Sequence, residues 1–288
     1  MKNLKIAAIV LIPVTMIAFL FIWDFAVQHY FYSLLSEAGN KPEKWSELFK
    51  YFMAQVLSVF ELVGPVVYFL TTNQAIKIKI YSLLRYMVVM GLLFSIPSFF
   101  WHLSQHYDFD LKVLSIYIYY LISAFVAAVL WLAKPEDDVP FVSLADYELV
   151  AYASGGQRLL NYIIDTVYFS TINFSWLLFY NPEEYNTSAS VWLNLAGTSV
   201  NFLLYYFLAE LLFRRTMGKI LTNTCVVATH GHMGPARVFG RSLSRLIPFD
   251  VLSFLWNGNW HDKVSGTTVV HAHSWEDIVF EGEEKELS

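Results

Sequence analysis

Long runs of apolar residues alternate with short polar stretches along most of the chain. A helix needs about 20 consecutive apolar residues to cross a bilayer, and six runs reach roughly that length. They cover residues 6–26, 51–72, 83–101, 113–133, 159–180 and 191–213. The pattern therefore predicts an all-α membrane protein with six transmembrane helices.

A seventh apolar run, residues 236–256, carries three arginines in its first half. Arg237, Arg241 and Arg245 stand four residues apart, so a helix places them along one face. This stripe favours an amphipathic or re-entrant helix whose arginines bind anionic lipid head groups. A seventh crossing is the alternative interpretation.

The composition is that of a bilayer protein. Of the 288 residues, 56% are hydrophobic and 15% are charged, whereas soluble domains carry about 25% charged residues. The formal net charge of -5 is small and resides in loops and the C-terminal tail, so nucleic acid binding is not indicated. A single cysteine, Cys225, excludes an internal disulfide. Without a phosphate-binding loop, catalytic triad spacing or cysteine pair, neither an enzyme nor a cofactor is predicted.

Basic residues mark the ends of the apolar runs that face the cytoplasm. They are Lys77, Lys79 and Arg85, which flank the link between the second and third runs, Lys134 after the fourth, and Arg214, Arg215 and Lys219 after the sixth. We expect an integral protein of a bacterial plasma membrane with both termini cytoplasmic, provided that the seventh run does not cross.

The composition changes at residues 134–140, where two prolines and three acids follow the fourth run. Prolines and clustered charges cannot continue a buried helix, so the run ends there. We predict an N-terminal four-span region at 1–134 and a cytoplasmic linker at 135–154. A second membrane module follows at 155–272, and residues 273–288 form an acidic tail.

The fifth run begins with charged and polar residues. Arg158, Asn161 and Asp165 span two helical turns, about 10 Å of rise, and project from one face. A carboxylate at the depth of Asp165 needs a partner. Asp165 could pair with Arg158, or Arg158 could bind Asp262 when the chain returns. The group is either a proton or cation site or a structural clasp.

Three segments together resemble the RDD family, membrane proteins named for one arginine and two aspartates. They are residues 157–165 (Gln-Arg-Leu-Leu-Asn-Tyr-Ile-Ile-Asp), 216–221 (Thr-Met-Gly-Lys-Ile-Leu) and 262–270 (Asp-Lys-Val-Ser-Gly-Thr-Thr-Val-Val). The resemblance covers residues 155–270, and Ser265 departs from the alanine that is more usual there. It implies a two-span core with a small cytoplasmic two-strand annex and a suspected role in transport. Some relatives are proposed to exchange sodium and protons.

Other polar groups lie inside predicted spans. The sixth run carries a polar stripe along one helix face, formed by Asn194, Thr198, Asn201 and Tyr205. This stripe can face Asn161 and Asp165. It serves either helix packing or permeation. Glu61 lies near the centre of the second run, before Gly64-Pro65. It is either protonated and hydrogen-bonded to a neighbouring helix or the proton-binding group of a carrier. Glu210 precedes Arg214 by four residues, a spacing that predicts a local ion pair.

Two histidine pairs follow strand-like segments: His230 with His232, and His271 with His273. Parallel pairing of those strands would bring the histidines together as metal ligands, and antiparallel pairing would separate them. Loop histidines without an aspartate or cysteine framework are usually solvated. No metal is therefore predicted, and these four remain weak candidates.

Two functions fit these observations. In the first, Arg158, Asp165 and Glu61 belong to a carrier that couples movement of H+ or Na+ to an unidentified solute. In the second, the protein is a non-transporting membrane scaffold or assembly factor, whose basic annex binds lipid head groups or a partner protein. The sequence indicates neither the solute nor the oligomeric state.

Overall fold

The computed structural model describes residues 3–15, 17, 36, 44–105, 111–133, 151–177, 188–230, 232–246 and 260–272. These residues form nine helices and two strands, counted within the described ranges. In chain order they are α1 (Asn3–Thr15), α2 (Lys44–Leu70), α3 (Gln74–Gln105), α4 (Leu111–Leu132), α5 (Gly155–Leu177), α6 (Ser188–Phe213), α7 (Met217–Leu221), β1 (Thr224–Ala228), α8 (Pro235–Ser244), α9 (Trp260–Ser265) and β2 (Thr267–His271).

Three helical stretches among the described residues are long and apolar enough to cross a membrane. They are Tyr51–Leu70 in α2, Gln74–Ile96 in α3 and Leu195–Phe213 in α6. Asn3–Thr15 and Ile118–Leu132 form shorter apolar helices. The prediction of a mostly helical membrane protein is confirmed, while six crossings stay a prediction.

The seventh apolar run contains only one described helix, α8, which has 10 residues. At 1.5 Å per residue it is about 15 Å long, half the thickness of a bilayer core. Residues 247–256 of the run lie outside the described residues.

The chain divides into two compact units. The first comprises residues 1–136 and 170–181. Its core joins one face each of α1, α3 and α4 through the side chains of Ala8, Ile9, Ile12, Ile80, Tyr81, Leu84, Val126, Val129 and Leu130. The Tyr81 hydroxyl donates to the Leu130 carbonyl at 3.3 Å, which satisfies a buried polar group inside this apolar core.

Glu61 lies in α2 of the first unit and is half-buried. The helix continues past it, through Pro65, to Leu70. Gly64 allows α3 to approach closely, because a Cβ at this position would lie 3.2 Å from Leu84 Cδ2. The Gly64-Pro65 pair therefore marks a tight helix contact in an unbroken helix.

The second unit comprises residues 137–169 and 182–288. Its sheet pairs β1 with β2 in antiparallel register, from Thr224 opposite His271 to Ala228 opposite Thr267. The predicted two-strand annex is thus confirmed. We use "the annex" for the described residues of 217–271, which include α7, α8 and α9 as well as both strands.

The other edge of β2 also carries a short extended segment. Tyr152 bridges Val270, the Ala153 amide donates to the Val269 carbonyl at 3.0 Å, and the His271 amide donates to the Ala151 carbonyl at 3.0 Å. Residues 151–153 therefore belong to the annex sheet, although the sequence placed them in the linker.

The apolar core of the second unit lies between the sheet, α8 and the end of α6. Its buried members are Ala153, Val226, Ala228, Met233, Val238 and Val269, with Phe207 and Leu211 of α6 packed against them. All five residues of β1 are buried. The sheet thus has its own hydrophobic support, which positions the polar residues that surround it.

Candidate functional site

Helix α5 begins with a reciprocal cap that places Arg158 in its first turn. The Gln157 backbone amide donates to Ser154 Oγ at 3.3 Å, and the side-chain oxygen Gln157 Oε1 accepts from the Ser154 backbone amide at 3.0 Å. This exchange is a capping box, which satisfies donors that the first helical turn leaves without partners.

Arg158 binds the aspartate that follows it by 104 residues. Its Nη1 donates to Asp262 Oδ2 in an ion pair in which both side chains are buried. Nε donates to the Ala153 carbonyl at 3.2 Å, and Nη2 lies 3.4 Å from Thr268 Oγ1. Of the two pairings that the sequence left open, the structure has Arg158 with Asp262, so α5 is tied to α9 and the sheet.

Asp165 has other partners. Its carboxylate accepts from Thr216 Oγ1 at 2.6 Å, from the Gly218 amide at 2.7 Å and from the Tyr205 hydroxyl at 3.2 Å. The residue is 1% exposed. Three donors, one of them a backbone N–H in the first turn of α7, compensate for the desolvation of this buried carboxylate.

Gly218 makes this arrangement possible through close backbone contact with α5. A Cβ at this position would lie 2.4 Å from the Asn161 carbonyl oxygen and 2.8 Å from the Asn161 Cα. The Asn161 amide group itself lies 2.6 Å from Thr222 Oγ1 and 3.1 Å from Thr224 Oγ1. Asn161 therefore links α5 to the turn between α7 and β1.

Glu210, near the end of α6, is the centre of the charge cluster. Its Oε1 lies 3.0 Å from Lys219 Nζ and 3.1 Å from Arg245 Nη2, and its Oε2 lies 3.0 Å from Arg241 Nε. The sequence predicted a local partner, Arg214, whose Nη2 donates to the Met233 carbonyl at 2.8 Å. In the sequence Glu210 is a single acid that several basic residues follow. Their order along the chain does not show which of those residues contact it.

Arg241 joins Glu210 to the Arg158–Asp262 pair. It is fully buried, and its Nη1 donates both to Asp262 Oδ1 and, at 2.7 Å, to Thr267 Oγ1. The contact of Nε with Glu210 has ion-pair distance without hydrogen-bond geometry. A continuous set of contacts thus runs through the second unit; we call it the charge network, and it comprises Arg158, Asp165, Glu210, Thr216, Lys219, Arg241, Arg245 and Asp262.

The predicted orientation was wrong for two of the three arginines that lie in α8 or directly after it. Arg241 and Arg245 point into the protein, and Arg245 also lies over the ring of Tyr206, 4.1 Å from its centroid. Arg237 is half-buried and donates to the His230 carbonyl. The physical reason is that Glu210 and Asp262 supply internal counter-charges, which compete with lipid phosphates for these guanidinium groups.

Burial shifts the pKa values of two groups outside the spans: Lys219, a member of the charge network, and His261, which lies beside Asp262. Desolvation lowers the pKa of Lys219 below its usual value, although the Glu210 carboxylate opposes the shift. Desolvation, with the positive field of Arg241, holds the pKa of His261 well below 6.5. His261 is therefore a neutral imidazole near neutral pH, and its Nε2 lies 3.3 Å from Asp262 Oδ1.

The polar stripe of α6 does not act as one surface. Tyr205 is buried against Asp165, Asn201 is half-buried and Thr198 is exposed. The side chain of Asn194 lies outside the described residues. Tyr205 is thus the stripe residue that the structure brings to the predicted site, while Glu61 belongs to the first unit.

The antiparallel register separates the histidine pairs. His271 lies opposite Thr224 at one end of the sheet, and His230 follows Ala228 at the other. At about 3.4 Å per residue the two ends are roughly 14 Å apart, so His271 and His230 cannot share a metal ion. His273 lies outside the described residues, and the rest of the described chain contains no cluster of three His, Cys, Asp or Glu side chains placed to bind one.

Apolar helices of membrane-spanning length and a buried charge network beside a small annex define a helical membrane protein. Residues 152–266 match the model of the RDD family, which confirms the family resemblance for this segment; we call it the RDD domain. The match covers less than half of the chain. No curated protein and no solved structure matches it.

Proposed function

We propose that the RDD domain is a non-transporting membrane scaffold. In this proposal the charge network holds the annex against α5 and α6, so that the annex is presented in a fixed position at the membrane. The observation that supports it is the pairing of the buried carboxylates. Asp165, Glu210 and Asp262 each receive at least two donors from residues of the same unit.

The energetics of such a network favour a role in geometry. Burying ion pairs costs desolvation energy that roughly cancels their attraction, so the pairs contribute little net stability. Removing one partner, in contrast, leaves an uncompensated buried charge and costs about 3–5 kcal/mol. A network of this kind therefore specifies which segments meet, here α5 with α9 and α6 with α8.

Lipid head groups remain a proposed partner of the annex, with a smaller set of residues than the sequence suggested. Arg241 and Arg245 are occupied by Glu210 and Asp262. Of the three arginines, Arg237 is the one best placed to bind an anionic head group, because its side chain is only half-buried.

A proton- or sodium-coupled carrier is the second candidate, and one specific contact favours it. The Thr216 hydroxyl lies 2.6 Å from Asp165 Oδ2 and 3.3 Å from Lys219 Nζ. Lys219 in turn reaches Glu210. This is a short series of exchangeable groups between two buried carboxylates, as a proton relay requires.

Ion flux distinguishes the two functions. The full chain in liposomes that contain a pH-sensitive dye would be given a proton or sodium gradient. Asp165→Asn and Glu61→Gln serve as matched variants, one in each unit.

The scaffold predicts that all three proteins leak no faster than empty liposomes. Wild-type flux that Asp165→Asn abolishes would overturn the scaffold and support the carrier, and loss in Glu61→Gln alone would place transport in the first unit.

A further inference from the structure

Helix α8 buries most of its polar side chains together with Val238 and leaves an apolar face outside. Arg241, Ser242 and Ser244 are buried. The opposite side presents Phe239 and Leu243, and the turn that follows the helix adds Leu246; the three side chains are 52%, 48% and 40% exposed. Their spacing of four and three residues forms one continuous stripe, which Pro235 and Ala236 extend toward the start of the helix.

Water is an unfavourable surrounding for this stripe. Full burial of a Leu or Phe side chain contributes about 1.5–3 kcal/mol, and these three side chains leave nearly half of their surface open. Large contiguous apolar patches usually mark a protein or membrane contact. The outward face of α8 therefore requires an apolar partner.

The position of α8 in the second unit identifies that partner. The Phe239 ring packs edge-to-face on Phe207 of α6, with centroids 6.0 Å apart. Phe207 precedes the end of the span at Phe213 by six residues, about 9 Å along the helix axis. Arg245, at the other end of α8, stacks on Tyr206. Helix α8 thus lies beside the last turns of a helix suited to cross the bilayer.

We propose that α8 is an interfacial helix whose Phe239, Leu243 and Leu246 side chains insert among the acyl chains of the leaflet where α6 ends. Interfacial helices bury their apolar face about 5–10 Å into the bilayer, which matches the depth of Phe207. The outward side chains of α6, among them Leu195, Val200 and Leu204, are also exposed. The stripe therefore continues an apolar surface that faces lipid, and this assignment is independent of whether the domain transports ions.

Nitroxide accessibility tests the proposal on the full chain in phospholipid vesicles. Phe239→Cys and Leu243→Cys would each carry a spin label, with Leu204→Cys on α6 as the lipid-facing reference and Lys263→Cys, exposed on α9, as the aqueous reference. Cys225 is buried, so labelled wild type gives the background. The measured quantity is the ratio of relaxation by oxygen, which partitions into lipid, to relaxation by a water-soluble nickel chelate.

The proposal expects a ratio above one at positions 239 and 243, close to that at position 204, and a ratio below one at position 263. A ratio below one at both α8 positions would place the stripe in water and overturn the proposal. Weak relaxation by both reagents would mean that protein, including a second copy of this chain, covers the stripe, which would also overturn it. Two label positions guard against a local effect of either substitution.

Discussion

Arg158 at the start of α5 and Asp262 in α9 form a buried ion pair across 104 residues of chain. The two residues lie near the opposite ends of the RDD domain in sequence, and both are buried. Because Asp262 also binds Arg241, its carboxylate is shared by two guanidinium groups. Both α5, through Arg158, and α8, through Arg241, are therefore held by the same carboxylate, that of Asp262.

Asp262→Asn is expected to destabilise the domain more than Arg158→Met. The first change leaves Arg158 without a carboxylate and Arg241 with Glu210 alone, and the second leaves an aspartate that still has Arg241. We expect a loss of about 3–5 kcal/mol for Arg158→Met and more for Asp262→Asn. Thermal unfolding in detergent measures both, with Lys263→Ala at an exposed neighbouring position as control. Equal losses would mean that Arg241 does not share the carboxylate.

Gly218→Ala should destabilise the protein by about 3 kcal/mol, near the upper end of typical overpacking costs. The added Cβ would meet Asn161 backbone atoms, which cannot move aside as a flexible side chain can. Displacement of α7 would also weaken the amide bond to Asp165. Gly240→Ala in α8 is the matched control, since nothing lies within 4 Å of its Cβ position and alanine favours a helix by up to about 1 kcal/mol. Opposite shifts in the unfolding midpoint are expected.

The arginines of α8 should differ sharply in their effect on folding. Arg241→Met removes a fully buried cation from two carboxylates and should cost about 3–5 kcal/mol. Arg237→Met affects a half-buried side chain that donates to the His230 carbonyl, and should cost under about 1 kcal/mol. Denaturation of the two variants side by side tests this order. Similar costs would contradict the inward orientation of Arg241.

His261 should make the folded state less stable in mild acid. Its folded pKa is held well below the unfolded value of 6.5, so the unfolded chain binds the extra proton as the pH falls through 6.5. Stability is thus complete above that pH and falls below it. Between pH 7.5 and 5.5 the loss is about 1.4 kcal/mol.

The matched variant for the pH experiment is His261→Gln, which keeps a polar side chain that does not titrate. Unfolding of both proteins would be measured across the same pH range. The difference in free energy of unfolding between them should change by about 1.4 kcal/mol over the range. Parallel pH profiles would show that His261 titrates normally in the folded protein.

The sequence predicted the features that depend on residues close together in the chain. Apolar runs predicted helices, and the motif around Gly266 predicted the last strand, which follows a positive φ at that glycine. Arg158 and Asp262 were singled out because a buried charge must have a partner. Their pairing was one of two alternatives, since spacing along one helix cannot exclude a residue that returns from elsewhere.

The orientation of α8 could not be predicted from its own residues. A stripe of arginines defines a face of the helix but not the direction in which that face points. Here Glu210, 31 residues before Arg241, and Asp262, 21 residues after it, supply the counter-charges. The antiparallel register and the contribution of residues 151–153 to the sheet likewise depend on long-range packing.

Tyr152 and Val270 lie side by side in the annex sheet, so the start and the end of the RDD domain meet at one place. A segment whose two ends coincide can be appended to, or inserted into, another polypeptide without being pulled apart. The domain is therefore portable: the chain enters and leaves its sheet at neighbouring positions, so a domain of this form can be joined to different sets of membrane helices.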